Sequence, residues 1–219
     1  MEEYNKRKRQ FGMTHKILNE LRQTLSGQFV DHNTYSDWFE EEIKALKGLR
    51  AHSEDIHHMR KHYARFDADY VDERINWIER GAVTEVLNDG HCGACWASSS
   101  VAAVEGANFI ANQNLVPFSN QQLIDCDQHN FGCDGGFMSN AIEYAAEHAL
   151  MTKQDYPFVG HSAGACYENH DLAVVSVSSY INVIPNDVEQ LKIAVSQGPV
   201  AAAIAASDDA FMFYSGGVI

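Results

Sequence analysis

Residues 92–96 read Cys92-Gly93-Ala94-Cys95-Trp96, and the stretch that follows carries Val101, Val104 and Ile110 among small residues, at spacings that suit a buried helix. The pattern predicts a helix over residues 95–112 with a cysteine in its first turn. A thiol placed there meets unpaired backbone N–H groups and the positive end of the helix dipole, both of which favour an anion. Cys95 is therefore a candidate nucleophile. Taken alone, such a cysteine is more often a small buried apolar residue, so its surroundings must decide.

The chain has five cysteines, Cys92, Cys95, Cys126, Cys133 and Cys166. An odd count fits a disulfide framework of four plus one free thiol in an oxidising compartment; five buried thiols in a reducing one is the alternative. A zinc site is disfavoured, because the C-x-x-C at residues 92–95 has no second C-x-x-C or H-x3-H partner. No metal and no organic cofactor is suggested.

With 219 residues, 45% hydrophobic and 21% charged, the chain can bury a core as one sizeable domain or two small ones, which excludes disorder as its main state. A formal net charge of −14 disfavours nucleic acid or an anionic membrane surface as partner. No apolar run is long enough for a membrane span. Composition changes near residue 70: 12 basic and 12 acidic residues precede it, 4 basic and 18 acidic follow it. All five cysteines lie in the later part. The start, Met1-Glu-Glu-Tyr-Asn-Lys-Arg-Lys-Arg9, lacks the apolar core of a secretion signal, so the chain is expected to begin downstream of one.

Residues 2–24 read as an amphipathic helix with Tyr4, Phe11, Ile17, Leu18 and Leu21 as its apolar stripe. Residues 38–49 predict a second, short helix and residues 50–70 an extended connector. From Trp77 onward the pattern is mixed α/β. Ser119-Asn-Gln-Gln122 reads as a capping box, and Asp187-Val-Glu-Gln190 opens a helix that Gly198 closes. Residues 172–184 and 199–206 read as strands, the second buried on both faces, giving a helix-rich first half and a strand-rich second half.

The pentapeptide at 92–96 matches the nucleophile signature of papain and the cathepsins. The chain further resembles the cathepsin L-type members of that papain-like family at Asn76-Trp77, Gly81-Ala-Val-Thr84, Ser119-Asn-Gln-Gln-Leu-Ile-Asp-Cys126, Gly132-Cys-Asp-Gly-Gly136, Asp155-Tyr-Pro157, Gly164-Ala-Cys166, Gly198-Pro-Val200 and residues 211–219. The resemblance implies an α+β, papain-like two-domain fold, with a helical left domain and an incomplete β-barrel-like right domain, preceded by a helical pro-region. It implies cysteine-type endopeptidase activity through a Cys95 thioester. It pairs Cys92 with Cys133 and Cys126 with Cys166, leaving Cys95 free. It makes Gly93, Gly135 and Gly136 substrate-binding positions, the last two lying along the substrate backbone. Phe137, Met138 and Ala203 would line an apolar pocket for the second residue before the scissile bond; the plainer reading of Phe137 and Met138 is ordinary core.

Glu3, Arg7 and Phe11 fall on the inhibitory-helix motif of cathepsin L-type propeptides. Thr14 stands for the motif's Asn, Leu18 for its Ile and Arg22 for its final Asn; Asn33-Thr-Tyr-Ser-Asp37 with Glu41-Glu42 resembles the second motif, with Asp31 in place of Gly. Residues 1–70 are thus read as a partial inhibitory propeptide and residues 71–219 as a papain-like peptidase domain lacking its C-terminal part, with maturation near Val71. Residues 46–70 would block the cleft in the non-cleavable direction. The implied partners are peptide or protein substrates and the chain's own propeptide, with no nucleic acid and no membrane span, in a monomer of the lysosome, a digestive vacuole or the extracellular space.

Two departures bear on activity. The family places a Gln, an oxyanion donor, where this chain has Asp89, and an ionised carboxylate there would repel the oxyanion. The catalytic His and Asn are expected about 130–150 residues beyond the cysteine, past residue 219. His91, His129, His148, His161 and His170 lie in no motif that the family uses for the base, and are read as surface or loop residues. The alternative function is a catalytically inactive homologue that binds peptides or peptidases.

Overall fold

The computed structural model describes residues 1–51, 59–68, 71–206 and 208–218, so part of the expected connector lies outside the described residues. The chain divides into two compact units, Met1–Lys47 with Ala203–Ile219, and Gly48–Ala202.

The first unit is organised by α1, Glu2–Thr24, the helix expected from the amphipathic pattern. Glu2 and Glu3 sit in its first turn and Arg22 in its last, the arrangement the helix dipole favours. Its fully buried residue, Leu18, packs with Val30, Ala210 and Phe213 into a small apolar core. Val30 ends β1, Gln28–Val30, which pairs antiparallel with β4, Tyr214–Gly217. At the ladder's edge Gly217 has φ +90° and a Cβ there would lie 2.1 Å from the Gly27 carbonyl, so only glycine fits.

Charged residues do much of the remaining work in this unit. Arg7 donates to Glu3 at 3.0 Å, to both oxygens of Glu42 at 2.7 and 2.6 Å and to the Asp37 carbonyl, and lies over the Phe39 ring. Glu42 in turn accepts the Phe39 N–H at 2.8 Å, which caps α2, Glu40–Ala45. The expected helix over 38–49 is thus shorter than its pattern suggested. Its first residues form a turn instead, with the Trp38 N–H on the Tyr35 carbonyl, and it stops before Gly48. Two of the residues that depart from the propeptide motifs meet each other: Arg22 donates to Asp31 at 2.7 Å and to the Val30 carbonyl at 3.2 Å.

The second unit is built on α3, Cys95–Asn112, with α4, Asn120–Cys126, and α5, Met138–His148. Trp96, Ala97, Val101 and Val104 turn inward from α3 and meet Leu123, Ile124, Ala141, Tyr144 and Leu150 in one core. The α3 helix ends as Gln113 takes the left-handed conformation, φ 56°. Glu105, 4% exposed, accepts from the Thr84 hydroxyl and the Phe118 N–H, and burial pushes its carboxyl above the ordinary range.

Several expectations fail in detail. Ser119 does accept the Gln122 N–H, but the Gln122 side chain turns to Tyr144, Ala149 and Met151 rather than back to the cap, so the box is half formed. The same holds for α6, Val188–Gln197: Asp187 caps it, while Gln190 bonds both main-chain groups of Phe66. The expected strand over 172–184 is reduced to β3, Ala173–Val175, paired with β2, Leu150–Met151. Residues 199–206 form no strand, and residues 202–205 are exposed. Apolar sequence alone makes no strand without a neighbour to share its ladder, and among the described residues none lies beside this one. The second half is therefore helix-rich as well, completed by the short α7, Asp209–Met212.

Candidate active site

Cys95 opens α3, where the first N–H groups have no intrahelical acceptor. It is the free cysteine and it is exposed. The other four are bridged as the resemblance implied, Cys92 to Cys133 and Cys126 to Cys166. The first bridge ties the turn before α3 to the glycine-rich segment after α4, and the Gly93 N–H reinforces it on the Cys133 carbonyl at 2.8 Å.

That segment forms a wall beside the sulfur. Gly135 and Gly136 are buried, and Gly135 has φ +113°. A Cβ on Gly136 would lie 2.5 Å from the Asn130 side chain and 2.7 Å from the Trp96 ring. Asn130 braces the wall: its amide donates to Asp127 at 2.7 Å and to the Phe137 carbonyl, and its oxygen accepts the Phe137 N–H at 2.6 Å. Asp127 is 5% exposed and its carboxyl is pushed up by burial. Phe137 and Met138, at the start of α5, are half-buried. Ala203 belongs to the other unit and is exposed.

Residues 48–50 lie along this wall. Gly136 donates to the Gly48 carbonyl at 2.8 Å and accepts from the Arg50 N–H at 2.9 Å, a parallel bridge between Leu49 and Gly136. The approach is close: a Cβ on Gly48 would lie 2.1 Å from the Gly93 carbonyl oxygen and 2.9 Å from the Cys95 sulfur. The main-chain donor and acceptor of Gly136 are thus already engaged.

Asp89 is half-buried in the turn before Cys92. Its carboxylate accepts the Ser98 hydroxyl at 2.8 Å, and burial pushes it above the ordinary range. Of the five histidines read as surface or loop residues, His91, His129, His161 and His170 are exposed, while His148 is half-buried at the end of α5; His148 and His170 both approach Glu168, at 3.4 and 3.6 Å. Gly48, Ser98 and Asn130 escaped the sequence reading. Only Gly48 had a signal, a glycine near the end of a helical pattern.

The model of papain family cysteine proteases matches residues 71–219. The chain belongs to this family. It is 37% identical over 211 residues to the cysteine protease XCP2 of Arabidopsis thaliana, covering 93% of this chain and 58% of that protein. It is likewise 37% identical over 202 residues to the cysteine protease Amb a 11.0101 of Ambrosia artemisiifolia, covering 92% and 51%. The chain spans about half the length of the curated relatives it matches. Among solved structures it is similar to digestive procathepsin L2 of Tenebrio molitor, with TM-score 0.89 and 30% identity over 100% of this chain and 73% of the other. The proform of Amb a 11 gives 0.84 and 31% over 98% and 67%. The fold is thus the papain-like α+β one, rich in helix and short of strand. No described helix is long and apolar enough to cross a membrane.

Proposed function

We propose that the protein is a cysteine endopeptidase precursor in which Cys95 attacks peptide bonds and residues 46–70 block the cleft until they are removed near Val71. The observation that carries this reading is the free sulfur at the mouth of α3, flanked by a glycine wall that a parallel segment occupies. A strand run along Gly136 in the opposite sense would offer the same two main-chain bonds and present its carbonyl to the sulfur. Residues 48–50 use the bonds in the reverse sense and are spared. Phe137 and Met138 provide an apolar surface for the residue two positions before the cleaved bond.

In the reaction the Cys95 thiolate adds to the carbonyl carbon, and the π pair moves onto oxygen. When that pair returns, the C–N bond breaks and the amine leaves with a proton from the imidazolium of the histidine that the family resemblance implies as general base. Water then attacks the thioester, gives a proton to the imidazole, and releases the acid and the thiolate. The disulfides and the digestive or pollen relatives support a digestive vacuole, lysosome or extracellular setting.

Asp89 favours a second reading, an inactive homologue that binds peptides without cutting them, because an ionised carboxylate opposes the oxyanion. The two separate in one experiment. Full-length protein freed of its pro-region is treated with a thiol-directed epoxide at mildly acidic pH and offered a peptide with Leu or Phe two residues before the scissile bond. The endopeptidase reading expects an adduct on Cys95 and loss of cleavage in Cys95→Ala. Peptide binding with neither adduct nor cleavage overturns it.

A further inference from the structure

The carboxyl of Asp89 does not hang free. Its Oδ1 accepts the Ser98 hydroxyl at 2.8 Å, and that hydroxyl oxygen accepts the Asn120 amide at 3.2 Å, with Asn120 itself 3% exposed. Ser98 stands three residues after Cys95 on α3, hence on the same face of the helix. The chain Asn120, Ser98, Asp89 therefore ties one carboxyl oxygen to the first turn of α3, the turn that Cys95 opens, and leaves the other oxygen available for a proton.

We propose that Asp89 acts as a neutral acid, its Oδ2–H donating a hydrogen bond to the oxyanion that forms when Cys95 attacks, and that Ser98 and Asn120 are the positioning residues that hold it there. The proposal rests on the reading of Cys95 as nucleophile. The Oδ2–H bond is never broken: the π pair of the substrate carbonyl settles on its oxygen, receives the hydrogen bond, and returns as the amine departs. Activity is thereby confined to the pH range in which Asp89 keeps its proton, an acid gate that the family's Gln does not impose.

The surroundings suit a retained proton. Desolvation raises the carboxyl and the Ser98 hydroxyl opposes it only in part. From its own loop His91 lies two residues on and is exposed; from α3 comes the Ser98 hydroxyl, and behind it from α4 the neutral amide of Asn120. The carboxylates on those helices are engaged elsewhere, Glu105 with Thr84 and Phe118, and Asp125 with Gln121, Tyr156 and Ala163.

The test uses the full-length protein freed of its pro-region, with epoxide labelling of Cys95 run beside kcat/KM profiles for wild type, Asp89→Asn and Ser98→Ala. The amide of the Asn variant keeps the Ser98 contact and offers an N–H at every pH. Wild type should lose about tenfold in kcat/KM for each pH unit above the Asp89 titration, while Asp89→Asn runs level until the next group titrates. Ser98→Ala should move the alkaline limb to higher pH, because the lost hydroxyl bond had stabilised the charged form; a merely structural role would lower the profile without moving that limb. Labelled Cys95 with coincident limbs in wild type and Asp89→Asn overturns the proposal and leaves the peptidase reading standing. No label in any form overturns both. Should the variants fail to fold, the Asp89 carboxyl carbon is followed by NMR in the wild type, where titration at or below the ordinary 3.8 overturns the gate.

Discussion

The unit around α1 and the unit around α3 cohere by different means. In the first, the buried apolar core is Leu18, Val30, Ala210 and Phe213, and much of the remaining order comes from Arg7 and Arg22 reaching across loops to Glu42, Asp31 and main-chain carbonyls. In the second, three helices share a core from Trp96 to Tyr156, and two disulfides fasten its irregular segments. Exposed ion pairs weaken with salt and protonation, whereas apolar burial and covalent bridges do not.

Removing the Cys92–Cys133 bridge, as Cys92→Ser with Cys133→Ser, should cost the second unit roughly 2–5 kcal/mol, the largest effect expected, read from denaturant midpoints. An unchanged midpoint would erase the contrast. Leu18→Ala should cost the first unit about 2–4 kcal/mol and expose the amides of β1 and β4 to hydrogen exchange, with those of α3 unaffected. Protection lost together in both units would show that they do not open separately.

A smaller effect is expected from pH. Burial raises the Glu105 carboxyl above its ordinary 4.5, so between that value and its raised one the folded state holds a proton that the unfolded state has released. Stability is full below 4.5 and falls as pH rises through the window. Glu105→Gln should flatten that slope in the second unit, measured as denaturant midpoints at successive pH values. The smallest effect belongs to Arg22 and Asp31: a double-mutant cycle should give a coupling of about 0.2–1 kcal/mol that high salt abolishes. A coupling that survives salt would place this pair with the buried forces of the other unit.

Much of the site was legible because its signals are local. The helix at 95–112 followed from spacing, and the disulfide pairs and the role of Gly135 and Gly136 were what the family resemblance implied. Gly48 was not legible, since its meaning depends on Gly93, Cys95 and Gly136, all far along the chain. Ser98 and Asn130 look like ordinary polar residues until Asp89 and Phe137 are brought to them. The strands failed for a related reason: a ladder needs a partner, and residues 199–206 could not announce whether one lies alongside.

By itself the sequence determined the long helices, through residue type and short-range periodicity, while its resemblance to the papain-like family pointed to a cysteine nucleophile and to the departures at Asp89, Arg22 and Asp31. Only the tertiary structure decided that Arg22 answers Asp31, that Gly48 lies over Cys95, and that Ser98, itself held by Asn120, binds the Asp89 carboxylate. Such pairings join residues from about ten to about fifty positions apart, and no one-dimensional pattern encodes which distant groups the collapse of a core will bring into contact.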